Sequence, residues 1–150
     1  MPVGTGLIVM MLVAGGLAAA QSAMNARLAS LLGNPVQAAF VSFCVGALAL
    51  LAALLWLRDG LPSVARLSDV PPLYLSGGLF GVAFITTAIL LVPRIGVANV
   101  LFIGLAGQMV MSMLIDHFGL FGVVRHPINT WKLLGVLLIV SGVALLRREI

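Results

Sequence analysis

The side chains that could do chemistry are a few polar groups at helical spacing within long apolar stretches. Gln108, Ser112 and Asp116 recur at every fourth position and therefore share one face of a predicted helix. Gln21 and Asn25 have the same spacing nearer the N-terminus. A polar side chain in hydrocarbon is costly unless it finds a partner or faces a cavity. The pattern therefore predicts that these five residues line a path for a polar substrate.

Each of these groups also has a structural interpretation. Amides and hydroxyls can hold membrane helices together, a contribution of about 0.6 kcal/mol per pair. Asp116 ends an apolar run and could be a solvated helix terminus, where the helix dipole opposes a carboxylate. We therefore expect a compensating cation beside it, and the candidates nearby in the sequence are His117, Arg125 and Lys132.

Other kinds of chemistry have little support. The apolar stretches contain no Ser-His or Cys-His pairing that could activate a nucleophile, so we expect no enzyme and no cofactor. No cluster of His, Cys and acidic residues has metal-ligand spacing, and Cys44 is the single cysteine. Eight Lys and Arg scattered singly give no basic face, so we expect no nucleic-acid partner.

The composition defines the elements that must position these residues. Hydrophobic residues make up 62% of the 150-residue chain and charged residues only 8%, against about 25% charged in a typical soluble domain. The sequence therefore predicts an all-α membrane protein, one transmembrane domain over residues 1–150 that contacts lipid. Apolar stretches long enough to cross about 30 Å of hydrocarbon predict five spans. They cover approximately residues 4–26, 36–57, 73–92, 95–115 and 131–146.

Turn signals separate these spans. Gly33-Asn34-Pro35 predicts a turn with Pro35 at the first position of the second helix. Arg58-Asp59-Gly60 ends the second span, Pro71-Pro72 opens the third, and Pro93-Arg94 predicts a tight turn before the fourth. Residues 18–21 imitate a signal-peptide cleavage site, but no basic segment precedes them, so we expect a first span instead.

Glycines predict where helices approach closely. Gly77 and Gly81 form a small-xxx-small pair, and Gly135 and Gly142 lie on one face of the last span. We expect these four glycines to pack against other helices.

The distribution of positive charge bears on orientation and assembly. With five spans, one side of the membrane carries Arg58, Arg66, Arg125 and Lys132, and the other carries Arg27, Arg94, Arg147 and Arg148. A balance of four against four leaves the positive-inside rule undecided, so the sequence predicts insertion in both orientations. Two opposed copies would rebuild the inverted repeat of larger transporters. The alternative is that helix hydrophobicity or a partner fixes one orientation.

The residues also resemble a known family. The carriers of the resemblance are Gln21 and Asn25, Gly33-Asn34-Pro35, Gly107-Gln108 with Ser112, Asp116-His117-Phe118-Gly119, Trp131-Lys132-Leu-Leu-Gly135 and Ser141-Gly142-Val143. Together they resemble the YdcZ-type branch of the drug/metabolite transporter superfamily, five-helix proteins of bacterial inner membranes. The resemblance implies a multi-pass, half-size bundle completed by dimerisation with a second copy or a related paralogue, and it implies export of small molecules.

The resemblance does not supply a substrate. Small multidrug resistance proteins are similar in size and use an acidic residue in their first helix, and this chain has none there. Two further functions remain open at this point, a passive dual-topology channel and an accessory membrane subunit of a larger complex.

Overall fold

The computed structural model describes residues 4–58 and 60–146, and this part of the chain contains helices and loops but no strand. Asp59, Arg147 and Arg148, which enter the turn and charge predictions, lie outside the described residues. Helices suit these apolar runs because a helix satisfies its backbone hydrogen bonds internally, as hydrocarbon requires. The helices are α1 Thr5–Leu32, α2 Pro35–Leu57, α3 Val64–Ser68, α4 Pro72–Leu75, α5 Gly77–Phe118 and α6 Thr130–Leu146.

Three helical segments are long and apolar enough to cross a membrane. They are Thr5–Leu32, Pro35–Leu57 and Pro72–Phe118, and a shorter apolar helix covers Thr130–Leu145. The segment Pro72–Phe118 has 47 residues, more than twice the roughly 20 that one crossing needs. The protein is therefore an all-α membrane protein. The chain divides into two compact units, Met1–Pro93 and Arg94–Ile150.

The turn between α1 and α2 forms as its sequence predicts. Gly33 adopts the left-handed conformation with φ of 71°, which ends α1. The Asn34 side chain accepts hydrogen bonds from the backbone N–H groups of Val36 and Gln37, at 2.8 and 3.2 Å. Pro35 takes the first helical position, where its missing N–H costs nothing.

The predicted first span ends at residue 26, whereas the helix α1 continues to Leu32. Arg27 lies within the last turns of the helix, and its Nη1 donates to Ser30 Oγ at 3.4 Å. A charged residue marks where a span can leave hydrocarbon, but it does not stop a helix. Gly33 supplies the actual stop.

The first unit packs around small residues. Ala38 and Ala39 of α2 are buried together with Ile89 of α5, and Leu28, Ala29 and Ile85 pack against them. Alanine lets helices approach closely, as in other membrane interfaces. Among the predicted packing glycines in this unit, a Cβ at Gly81 would lie 3.4 Å from the Phe43 ring, whereas nothing lies within 4 Å at Gly77.

The tight turn predicted at Pro93-Arg94 is wrong. Pro93 lies inside α5, and the non-helical residue is Gly96, with φ of 79° and ψ of 161°. Proline removes one helical hydrogen bond but keeps a helical φ, whereas glycine can adopt positive φ at little cost. Asn99 stabilises the chain beside this break, since its Nδ2 donates to the Ile95 carbonyl at 2.7 Å.

In the second unit, α5 is followed by a structured loop and then by α6. Gly119 ends α5 in the left-handed conformation, and a short 3-10 helix covers Leu120–Gly122. Asn129 Oδ1 accepts from the Lys132 backbone N–H at 2.8 Å and caps the start of α6. This helix has 17 residues, about 25 Å at 1.5 Å per residue. This length is shorter than the roughly 20 residues that one crossing typically needs.

Candidate functional site

Helices α1 and α2 line an open groove of about 880 Å³ in the first unit. Its polar lining residues are Gln21, Asn25 and Arg27 of α1 and Ser42 of α2. Apolar side chains make up most of the rest, and they include Leu17, Met24, Leu28, Val41 and Val45. The structure thus brings the predicted pair Gln21 and Asn25 together in one concave site.

Asn25 is the most enclosed polar residue of this groove. It is 7% exposed, whereas Gln21 is exposed. The Asn25 amide makes no side-chain hydrogen bond within the described part of the chain, yet neither of its polar atoms is sealed from solvent. Asn25 thus lines the groove with an amide that keeps some solvent exposure. By contrast, the neighbouring Ser22 hydroxyl is satisfied locally, since it donates to the Ala18 carbonyl at 3.0 Å.

Arg27 and Ser42 are groove residues that the sequence prediction missed. A signal for Ser42 was present, because Ala38, Ser42 and Gly46 recur at every fourth position and form a face of small residues along α2. Ala38 is fully buried, and Ser42 and Gly46 line the groove on the same face. Arg27 had been assigned only to the charge balance at the membrane surface.

The predicted stripe on α5 lies in the second unit. Gln108 is exposed, and Ser112 is exposed with its hydroxyl donating to the Met109 carbonyl at 3.0 Å. Asp116 is partly buried near the end of the helix. The three residues keep the shared helix face that their spacing predicts, and their part in a substrate path stays a prediction.

A cation compensates Asp116, as expected from the helix dipole, and it is Lys132. Lys132 Nζ lies 3.4 Å from Asp116 Oδ2, and the two side chains are 34% and 41% exposed. The same ammonium donates to the His126 carbonyl at 3.1 Å. Exposed ion pairs are worth about 0–1 kcal/mol. The pair therefore orients the carboxylate without locking it.

The loop after α5 closes over the helix end through several hydrogen bonds. The His126 backbone N–H donates to the Asp116 carbonyl at 2.9 Å, and Arg125 Nε donates to the His117 carbonyl at 3.2 Å. The Ile128 backbone N–H donates to His117 Nδ1 at 3.2 Å. The first two contacts satisfy terminal carbonyls of α5 that lack helical partners. The loop thereby holds Asp116 and Lys132 in register.

Gly119 makes that closed loop possible. Its φ is +65°, and a Cβ there would lie 2.5 Å from Arg125 Cγ. Gly122 has a similar φ of +79° with nothing within 4 Å of its Cβ position.

We expect Gly119→Ala to lower the free energy of unfolding by more than the conformational cost of about 1–2 kcal/mol, since Arg125 must also move. Gly122→Ala should show the conformational cost alone, measured by denaturant titration in mild detergent. Equal losses in both variants would contradict this account.

Metal binding has no geometric support in the described residues. Within residues 4–58 and 60–146, no three His, Cys, Asp or Glu side chains lie close enough to hold a metal ion.

The helices define a class, that of multi-pass helical membrane proteins, and a groove lies between two of the long apolar helices. Residues 6–145 match the family described as "Putative inner membrane exporter, YdcZ". The chain therefore belongs to the YdcZ family, and the resemblance of its motifs to that family is confirmed. It is a multi-pass protein of the inner membrane. No curated protein and no solved structure matches the chain.

Proposed function

We propose that this protein is one subunit of a dimeric small-molecule exporter of the drug/metabolite transporter type. The observation that carries the proposal is the α1–α2 groove, in which Asn25 and three other polar residues line a mostly apolar site within a protein of an inner-membrane exporter family. Sites for small molecules are typically concave and mostly apolar with a few placed polar groups. The groove has these properties.

The substrate path in this proposal uses both predicted sets of polar residues. Gln21 and Asn25 bind substrate in the groove, and Gln108, Ser112 and Asp116 form the polar face along α5. Asp116 is the acid that such a path has available, since the other acid in the described residues, Asp69, lies in the connection before α4.

Five spans are part of the same proposal. Helices α1, α2 and α6 supply three, and the 47 residues of Pro72–Phe118 supply two, with Gly96 interrupting the helical conformation between them. Five spans put the chain termini on opposite sides of the membrane. With balanced Lys and Arg in the loops, two copies can then insert in opposite orientations and pair as an antiparallel dimer.

A mixed-solute assay tests the groove. Inverted membrane vesicles containing the wild-type protein should accumulate one or more solutes from a defined mixture of small molecules, read by mass spectrometry. Asn25→Leu should lose this accumulation, because it removes the enclosed amide and keeps the side-chain volume similar. Gln37→Leu makes the same chemical change at an exposed position outside the groove lining and should keep it. Equal accumulation in wild-type and Asn25→Leu vesicles would refute the groove as the substrate site.

The dimer interface is assigned to the small face of α6. A Cβ at Gly135 or Gly142 would have nothing within 4 Å among the described residues, which leaves room for a second copy at both positions. We expect Gly135→Leu and Gly142→Leu to weaken dimerisation about tenfold or more, because leucine prevents the close approach of two helices. A tenfold loss corresponds to about 1.4 kcal/mol of association free energy. Gly107→Leu on α5 serves as control, because Gly107 has the same free space but no glycine seven positions away. Crosslinking yield against protein-to-lipid ratio measures it, and unchanged dimer yield in both α6 variants would contradict the interface.

A further inference from the structure

The loop between α5 and α6 is fastened to the end of α5 through a histidine side chain. The Ile128 backbone N–H donates to His117 Nδ1 at 3.2 Å, and the two residues are eleven positions apart in the sequence. A ring nitrogen of histidine accepts a hydrogen bond only when it carries no proton. In the closed loop His117 therefore has its one ring proton on Nε2. The contact requires the neutral form of this half-buried side chain.

Two other hydrogen bonds hold the same loop, but neither depends on a titrating side chain. The His126 backbone N–H donates to the Asp116 carbonyl at 2.9 Å, and Arg125 Nε donates to the His117 carbonyl at 3.2 Å. A backbone amide and a guanidinium keep their protons at physiological pH. Of these three hydrogen bonds, only the one that His117 Nδ1 accepts can be broken by adding a proton.

A proton on His117 would also add positive charge to a segment that is already cationic. Between Asp116 and Lys132 the sequence has no further acidic residue and one further cation, Arg125. Lys132 already pairs with the Asp116 carboxylate, and Arg125 lies against the His117 carbonyl. The contacts of His126 with its neighbours use its backbone groups. An imidazolium would therefore face two cations, and the one carboxylate of this segment is already paired.

These contacts set the direction of the pH dependence. The closed loop keeps His117 Nδ1 free of a proton, whereas an open loop lets Nδ1 take one up. The open form therefore binds more protons, and a fall in pH favours the form that binds more protons. Histidine side chains ordinarily change charge near about pH 6.5. Closure is fully favoured above that range and is lost as the pH falls through it.

The closed loop also supports the ion pair of Asp116. Lys132 Nζ lies 3.4 Å from Asp116 Oδ2 and donates to the His126 carbonyl at 3.1 Å. When the loop leaves the end of α5, the His126 carbonyl moves with it. The Lys132 ammonium then loses one of the two acceptors that hold it beside the carboxylate, and Asp116 becomes more open to another cation.

We propose that His117 is a pH sensor for the loop of residues 119–129. Protonation of its Nδ1 breaks the hydrogen bond from Ile128, releases the loop from the end of α5 and loosens the pair of Asp116 and Lys132. Each loop that opens takes up one proton from water. The regulatory meaning rests on the proposed function, in which Asp116 belongs to the substrate path, whereas the loop transition does not depend on it.

Amide hydrogen exchange at Ile128 tests the sensor, followed by NMR on the full chain in phosphatidylcholine nanodiscs. After correction for the intrinsic pH dependence of exchange, the protection of this amide should fall about tenfold from about pH 7.5 to about pH 5.5, as expected for one lost hydrogen bond. The nitrogen NMR signals of the His117 ring give a second measurement. Nδ1 should be unprotonated at the higher pH and protonated at the lower, with the same midpoint as the loss of protection.

Three variants separate His117 from the neighbouring histidine. His117→Asn offers Ile128 a carboxamide oxygen that does not titrate, so the loop should stay protected at both pH values. His117→Leu removes the acceptor and should show the low protection at both. His126→Asn is the matched control, because this side chain is exposed and the loop contacts of the residue come from its backbone. It should keep the pH dependence of the wild type.

Protection of Ile128 that does not change with pH in the wild type would overturn the proposal, as would an unchanged pH dependence in His117→Asn. Loss of the pH dependence in His126→Asn would assign the response to the other histidine and also overturn it. A loop that opens with falling pH in a protein that carries no solute would contradict export and leave the sensor standing. Solute accumulation together with pH-independent protection would overturn the sensor and leave export standing.

Discussion

Asp116→Asn should lower the rate of uphill transport about tenfold or more, the equivalent of about 1.4 kcal/mol in the barrier, while dimer formation continues. The reason is that Asp116 is the acid on the polar face of α5. A carboxylate that exchanges one cationic partner for another can couple the movement of a solute to that of an ion. The asparagine keeps the shape and loses the charge. Initial rates in vesicles with an imposed pH gradient measure the effect.

Lys132→Gln is the matched control for this prediction. It breaks the same 3.4 Å ion pair but keeps the Asp116 carboxylate. If the pair only stabilises the loop, both variants should behave alike, with losses of about 1 kcal/mol or less in unfolding free energy. If Asp116 acts in transport, its asparagine variant should lose uphill transport and Lys132→Gln should retain it. Full uphill transport by Asp116→Asn at normal expression would remove this residue from the path.

The orientation of the chain should respond strongly to two added charges. Leu61 and Pro62 are exposed and follow Arg58 in the connection between α2 and α3. The double substitution Leu61→Lys, Pro62→Lys changes the balance from four against four to six against four. A small excess of positive charge selects the cytoplasmic side. We therefore expect a mixed population to become predominantly one orientation, with the C-terminus outside.

A reporter fused to the C-terminus measures this change in orientation. Accessibility from both sides in comparable amounts is expected for the wild type, and from one side for the double lysine variant. The variant Leu61→Gln, Pro62→Gln controls for the loss of the apolar side chain and the proline. A wild-type protein in a single orientation would exclude the antiparallel homodimer.

The sequence could predict those parts of the fold that depend only on neighbouring residues. The Gly33-Asn34-Pro35 turn is contained within a few residues, and its capping geometry follows from their chemistry alone. The break in α5 was placed at Pro93 and occurs at Gly96, since a proline and a glycine both signal a break and the backbone uses the glycine. Local signals could not decide between them.

The candidate site was only partly predictable for a different reason. Helical spacing was enough to place Gln21 with Asn25 on one face. The presence of Arg27 and Ser42 in the same groove depends on how α1 and α2 are rotated against each other, and packing of Ala38 and its neighbours sets that rotation. Similarly, His117, Arg125 and Lys132 were equal candidates to compensate Asp116. The fold of the loop after Gly119 selects Lys132.

The central claim is that this chain, without other proteins, exports a small molecule. Purified protein reconstituted into liposomes, with a solute identified in the mixed-solute assay and an imposed pH gradient, tests it most directly. The measured quantity is the ratio of internal to external solute at steady state. We expect a ratio above one that saturates with solute concentration, and in Asn25→Leu a solute flux no higher than that of empty liposomes. A ratio that only reaches one would indicate a passive channel, and no flux above empty liposomes would indicate an accessory subunit; either result would contradict the claim.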